Sequence, residues 1–275
     1  MSGLEELVHI IPLGYEIDRA VIPFEKYNAN RGYILTTKED LKYGSPAEIE
    51  KNIKQRYFDA MVQKLLEDRG IEVRVEQIDM FDILEVMQTI SAIILHEKEK
   101  NNRLYLNMSA CGRLTSIGAT LAAMAHDITI YYVRSDGYAS SEKEEREHGL
   151  SICTTPQLWQ LENFRIALPD EMSLKILAHL TREPEGMTTD LILRYLFEEG
   201  VPGFDEDFRA LHTLDRRRKQ SNYLMKLNKG ILTRMEISGY ITRKRSGRNT
   251  VVSITESGRY IACISGMLPP TSLRW

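Results

Sequence analysis

Between residues 7 and 134 short apolar runs alternate with longer amphipathic ones, and no other feature restricts the fold as much. "LVHIIPLG" (7–14) reads as a buried strand closing in Pro12 and Gly14. "RGYILTT" (31–37), "RLYLNMS" (103–109) and "ITIYYVR" (128–134) read the same way. "IEVRVEQI" (71–78) sets Ile71, Val73 and Val75 against Glu72, Arg74 and Glu76, the period of a strand. The stretches between them have helical spacing. Residues 15–27 form a helix broken near Pro23. Residues 45–69 form a helix with Ser45 as N-cap and Pro46 at its first position, an apolar stripe of Ile49, Ile53, Tyr57, Met61 and Leu65, and a stop at Gly70. Two more helices fill 81–101 and 114–127. Strands separated by helices pair in parallel through right-handed crossovers, so the expected fold class is α/β: a Rossmann-like, mainly parallel sheet with helices on both faces.

The pattern changes further along. Residues 135–151 are polar and read as a surface excursion, and 159–167 as a possible edge strand. Pro169-Asp170 makes a boundary, giving expected domains 1–168 and 169–275. The second contains a helix with Met172, Ile176, Leu177 and Leu180 on one face. A second helix is capped by Thr188 or Thr189. After a loop comes a long helical stretch with Leu224, Leu227, Ile231 and Met235 on one side. A hairpin turning at Ser246-Gly247 follows.

Charge divides along the same boundary. Residues 213–275 hold 13 Lys/Arg against 3 Asp/Glu, and the remainder 23 against 36, although the whole chain sums to only −3. A basic module joined to an acidic one points to a polyanion partner for the first. The three cysteines, Cys111, Cys153 and Cys263, form no CxxC pair, which fits a reducing compartment. No apolar run approaches the ~20 residues of a membrane span. The acidic start "MSGLEELVHI" is not a secretory signal, so a cytoplasmic protein is expected.

Three helices followed by a basic two-stranded hairpin is the layout of a winged helix-turn-helix, and "LTRMEISGYITRKRSGRNTVVSITESGR" closely resembles the end of that fold. A helix fits the DNA major groove, and a basic hairpin can follow phosphates. The candidate base readers are Lys226, Asn228, Lys229 and Thr233. Arg243, Lys244, Arg245 and Arg248 flank the wing's turn as phosphate contacts. "RRRK" (216–219) either touches the backbone or is simply solvated.

In the first domain, ligands of a Rossmann-like sheet collect at the carboxyl ends of strands. Two such ends are informative: "PLGYEIDRAVIP" from Pro12, and "NMSACGRLTS" from Asn107. Neither is GxGxxG. There is no P-loop, no GxSxG elbow and no Cys-x5-Arg cradle on Cys111, and the six histidines make no metal or protease spacing. His9, inside "VHII", reads as a core residue. The second turn offers backbone amides, small side chains and the fork of Arg113 at a helix start, which suits an anion. Its plain alternative is capping of that helix by Ser109 or Thr115. No catalytic residue, metal ligand or cofactor is assigned.

These two turns, followed by "ITIYYVRSDGY" and a winged helix, resemble the CARF (CRISPR-associated Rossmann-fold) proteins, most of all the archaeal CARF–winged-helix transcription regulators. The resemblance spans about residues 6–262. The family's Gly-Phe/Tyr-Glu-x-Asp-Arg turn is matched by Gly14, Tyr15, Glu16, Asp18 and Arg19. Its Asn-x-Ser/Thr-small-Gly-Ser/Thr-Lys turn is matched by Asn107, Ser109 and Ala110, with Arg113 in the Lys position, Cys111 where Gly is usual and Gly112 where Ser/Thr is usual. The resemblance implies a homodimer with one composite pocket across its two-fold axis. It also implies a cyclic oligoadenylate ligand, commonly the tetra-adenylate ring, and double-stranded DNA as the second partner. The expected ligand contacts are Gly14, Tyr15, Glu16, Asp18, Arg19, Asn107, Ser109, Ala110, Cys111, Gly112, Arg113 and Thr115. A ring nuclease, or a regulator sensing a different small nucleotide, are the alternatives.

Overall fold

The computed structural model describes residues 5–38, 46–155, 157–204, 213–247 and 249–269, with backbone alone at 48 and 213–216. They fall into two compact units, 5–167 with Pro269, and Leu168–Leu268.

The first unit alternates β1 (Leu7–Pro12), α1 (Asp18–Val21) with a 3-10 turn at Ile22–Glu25, β2 (Arg31–Thr37), α2 (Pro46–Glu67), β3 (Glu72–Ile78), α3 (Ile83–Glu99), β4 (Arg103–Asn107), α4 (Arg113–Ala125) and β5 (Thr129–Arg134). A two-stranded ribbon, β6 (Gly137–Tyr138) and β7 (Ser151–Ile152), carries α5 (Glu142–His148), and β8 (Gln157–Leu161) follows. The sheet order is β3-β2-β1-β4-β5-β8, with β3 to β5 parallel and β8 antiparallel at the edge. The fold is therefore α/β with a mainly parallel sheet, and the order reverses between β1 and β4. Central strands β1 and β2 are buried almost throughout, as strands covered on both faces must be. Helices α3 and α4 pack closely at Gly118, where a Cβ would meet Ile83 at 3.0 Å.

Helix α2 corrects one expectation. Its core-facing residues are Phe58, Val62 and Leu66, all essentially inaccessible. Burying each contributes roughly 1.5–3 kcal/mol. Ile53 is 60% exposed and Tyr57 39%, so the expected stripe is rotated by one position. Only its Met61 and Leu65 flank the core. The Ser45 cap lies outside the described residues; Gly70 does follow the helix in the left-handed region, at φ 78°.

The N-terminal ends of the strands close over a polar cluster. Arg31 donates two bonds to Glu97, at 3.1 and 3.0 Å, and pairs with Glu6 and Glu72 at 3.0 Å each. Tyr33 Oη and Asn102 Nδ2 each donate to Glu97 at 2.6 Å. Burial alone would raise the Glu97 carboxyl. The bonds from Tyr33 and Asn102 and the charge of Arg31 outweigh it and hold the group below the usual carboxylate range. His9 is a core residue, stacked on Tyr105 with ring centroids 4.7 Å apart and 3.1 Å from Tyr131 Oη. Burial pulls its pKa down to about 4, so the ring is neutral.

The second unit is α6 (Glu171–Leu180), β9 (Met187–Thr188), α7 (Thr189–Glu198), α8 (Thr213–Lys226) continuing through a π segment (Leu227–Leu232) into α9 (Thr233–Ile237), the hairpin β10 (Ile241–Ser246) and β11 (Asn249–Ile254), and α10 (Glu256–Ile264). The three strands form one sheet, β10-β11-β9. This is a winged helix. Asp170 caps α6 through Ser173 N, and Thr188 caps α7 through Leu191 N. The Thr-x-x-Gly of the C-terminal signature has a steric basis. Thr255 caps Gly258 N, and a Cβ at Gly258 would sit 2.1 Å from the Tyr240 carbonyl.

Candidate functional site

A cleft of about 740 Å³ opens at the carboxyl ends of β1, β2 and β4, where the strand order reverses. Open α/β sheets bind ligands at such a switch point, and the size is that of a small-molecule site. It is lined by Leu13, Gly14, Tyr15 and Glu16 after β1, by Thr37 and Lys38 at the end of β2, and by Lys51, Asn52 and Gln55 of α2. Met80, Phe81, Ala110, Cys111, Gly112, Thr115 and Leu150 complete it.

The β4–α4 turn meets the cleft with its backbone. Gly112 is the N-cap of α4 and makes no side-chain cap bond. Ser109 and Thr115, the two expected caps, are engaged elsewhere. Thr115 Oγ1 donates to the Met80 carbonyl at 2.7 Å, and Ser109 Oγ donates to Asn107 Oδ1 at 2.6 Å while accepting from Val133 N at 3.0 Å. A 13-residue helix therefore begins at the cleft with its first amides uncapped by any side chain, a polarity that favours an anion. Cys111 does not take a positive φ, so its Cβ is no obstacle to this backbone. Burial, with the Glu16 carboxylate beside it, pushes the Cys111 thiol up to about 12. At neutral pH it is a thiol and a poor nucleophile.

Of the twelve residues expected to hold ligand, Gly14, Tyr15, Glu16, Ala110, Cys111, Gly112 and Thr115 line the cleft. Five do not. Asn107 is fully buried and donates to the Arg19 carbonyl at 2.8 Å. Ser109 is held as described. Asp18 accepts from Cys153 N at 2.8 Å and contacts His148 Nδ1 at 3.1 Å. Arg19 donates to the Ser109 carbonyl, Tyr132 Oη and Ser135 Oγ. Arg113 is exposed at the start of α4. The Gly14–Arg19 turn is thus largely an anchor for the 137–153 excursion. Glu16 accepts from Ser151 N and Oγ at 3.1 and 2.8 Å. Gly149, at φ 85°, passes so close that a Cβ would sit 2.5 Å from Ile17 N. Burial raises the Glu16 carboxyl, an effect that Ser151 and Arg19 oppose.

Sequence reading missed Thr37, Lys38, Lys51, Asn52 and Gln55. Lys51 is exposed at the rim, and Lys38 is paired with Glu85. Gln55 donates to the Leu13 carbonyl at 3.2 Å, joining α2 to the end of β1. The usable signal was the strand end "TTK" at 36–38, adjacent to β1 in any sheet with this order.

In the winged helix, several of the expected DNA contacts are internally bonded. Lys226 donates to the Gly203 carbonyl at 3.1 Å and lies 4.8 Å from the Phe204 ring centroid. Asn228 and Thr233 are half-buried and bond the helix backbone, at Leu224 O and Asn228 O. Arg243 clamps the wing to the helix through Glu236 and Thr233. Lys229, Lys244 and Arg245 are exposed. Arg248 lies outside the described residues; Gly247 turns the hairpin at φ 60°.

Fold and site together define a class of chain: a Rossmann-like α/β domain with a switch-point cleft, followed by a winged helix. Residues 7–138 match the family described as HFX_2341_N:-like, N-terminal, and residues 172–266 match the DUF6293 C-terminal winged helix domain. The two matches fall one on each unit of the fold. The chain is similar to the uncharacterized protein MJ1513 of Methanocaldococcus jannaschii, 24% identical over 185 residues, 61% of this chain and 52% of that one. It thus spans about half the length of that curated relative. Among solved structures it is similar to Enterococcus italicus Csm6 bound to cyclic hexa-2'-fluoro-hexa-dAMP, at 13% identity, TM-score 0.43 and coverage of 82% and 56% of the two chains. It is also similar to Can2 from Sulfobacillus thermosulfidooxidans in complex with cyclic tetra-adenylate, at 12%, 0.38, 93% and 61%. Among the described residues no helix is long and apolar enough to cross a membrane.

Proposed function

We propose that the protein is a ligand-responsive DNA-binding transcription regulator, acting in the cytoplasm as a homodimer. The N-terminal cleft takes a cyclic oligoadenylate, the tetra-adenylate ring being the first candidate, and the winged helix takes DNA. The observation that carries the reading is the switch-point cleft itself. There the start of α4 lacks a side-chain cap, Lys38 and Lys51 line the wall, and Glu16, the one lining carboxylate among the described residues, has both oxygens bonded to Ser151. Phosphates of a small nucleotide match that set of donors. A two-fold ring suits two such clefts facing one another in a dimer. Ligand then shifts the population between two dimer states that differ in DNA affinity.

Sensing is favoured over cleavage. The Cys111 thiol is protonated at neutral pH, and the Ser109 hydroxyl is directed into Asn107. Calorimetric titration with cyclic tri-, tetra- and hexa-adenylate tests the ligand. Micromolar or tighter binding of one ring, near one ring per dimer, is expected. No binding of any ring, in a chain that still footprints on DNA, would leave a regulator of a different small nucleotide. Labelled rings recovered intact after long incubation exclude the nuclease.

A further inference from the structure

We infer that the base-reading surface of the winged helix is the outward face of α8, running through Arg218, Asn222 and Met225 to Lys229, and that its partner is the major groove of double-stranded DNA. This rests on the DNA-binding reading above and moves the readers about two turns towards the N-terminus of the helix.

The face is fixed by what points inward. Gln220 donates to Asp190 of α7 at 3.2 Å. Tyr223 packs on Phe204, ring centroids 5.7 Å apart. Leu224 is half-buried and Leu227 fully buried. Residues three and four apart share a helix face, so the opposite side carries Arg218, Ser221, Asn222 and Met225. All four are exposed, Met225 to 50%. Lys226 lies off this line and is held to the Gly203 carbonyl.

The π segment extends the line. Its wider turn, closed by Thr233 N to the Asn228 carbonyl, absorbs one extra residue. Leu227, Ile231, Leu232 and Met235 therefore all stay buried, and Lys229 remains above Met225 on the outer side. An unbroken α-helix would rotate one end of this inner row away from the core. The extra residue keeps a single outer face over both halves.

The side chains on that face are suited to base edges. Arginine pairs two-pronged with guanine O6 and N7, asparagine with adenine N6 and N7, and an apolar side chain contacts the thymine methyl. Arg218 and Asn222 are one turn apart, which places a guanine and an adenine within a few base pairs of each half-site. Exposed Arg217, Lys244 and Arg245 supply phosphate contacts on either side.

The test is selection from a randomised duplex library by the full chain, with and without saturating cyclic tetra-adenylate. Wild type is compared with Arg218→Ala, Asn222→Ala, Asn222→Arg and Lys244→Ala. Wild type is expected to enrich a motif. Arg218→Ala and Asn222→Ala should each erase the preference at one position of each half-site, by roughly tenfold to a hundredfold. Asn222→Arg should convert its position from adenine to guanine, a gain that misfolding cannot produce. Lys244→Ala should leave the motif unchanged. Motifs identical across wild type and all α8 variants would overturn the assignment while leaving DNA binding intact. A wild type that enriches nothing would overturn both.

Discussion

The two ends of the one sheet treat charge in opposite ways. At the N-terminal ends of the strands, Glu97 is wholly buried and accepts bonds from Arg31, Tyr33 and Asn102. At the C-terminal ends, α4 starts without a side-chain cap and Lys51 stands at the rim of an open cleft. Although Arg31 Nε finds no partner among the described residues, both Glu97 oxygens are already bonded, so the carboxylate has no capacity left for a ligand. Donors that converge on a cavity do. Residue type does not separate the cases, because both ends are rich in Asn, Glu and Arg; the inventory of partners does.

Several measurements would sharpen or break that contrast. The largest effect is expected at the closed end. Glu97→Ala removes the buried acceptor that Arg31, Tyr33 and Asn102 share, with Glu6 and Glu72 still paired to Arg31, and should lose about 3–5 kcal/mol in denaturant unfolding. A loss below about 1 kcal/mol would mean that the cluster is not closed at all. Between the two ends, His9 should make the domain acid-sensitive. Its folded value of about 4 lies below the 6.5 of a free histidine, so the unfolded state takes up the proton first. Stability is complete above pH 6.5 and falls towards pH 4, by about 3 kcal/mol. The difference in unfolding free energy between pH 7 and pH 4.5 should shrink in His9→Phe.

At the open end, Gly149→Ala drives a Cβ against the Glu16 and Ile17 backbone and should cost roughly 1–3 kcal/mol. Amide exchange should accelerate selectively over 142–153. Lys51→Ala should be the mildest change to the fold, within about 0.5 kcal/mol by thermal unfolding. The same variant should weaken ring binding about tenfold in calorimetry. A Lys51 variant that unfolds the domain, or binds as wild type, would erase the distinction between the two ends.

Much of the fold was legible because it depends on local pattern. The strand runs expected at 7–14, 31–37 and 128–134 and the C-terminal hairpin were all visible as periodicity and turn chemistry, and strands form within each. What stayed hidden depends on partners far along the chain. Residues 6, 31, 33, 72, 97 and 102 meet only because the sheet order brings β3, β2, β1 and β4 together. The same order brings Lys38 and Lys51 to the cleft. Asn107 and Ser109 were expected to hold ligand, but neither lines the cleft. Their bonds run to Arg19 and Val133, which no spacing within "NMSACGR" reveals. Helix α2 offered two overlapping apolar stripes, and its first half faces the cleft rather than the core, so the stripe that continued into that half was the wrong one. In the winged helix, Arg243 and Lys244 are neighbours in a basic run, yet one is a clamp and the other is exposed.

The Arg31–Glu97 cluster also gives the domain a thermal character. Removing charge from water becomes less unfavourable as temperature rises, while the gain from apolar burial levels off. The relative weight of the cluster therefore grows on heating. The end of the sheet farthest from the cleft therefore loses less of its hold on heating than apolar burial alone would leave it.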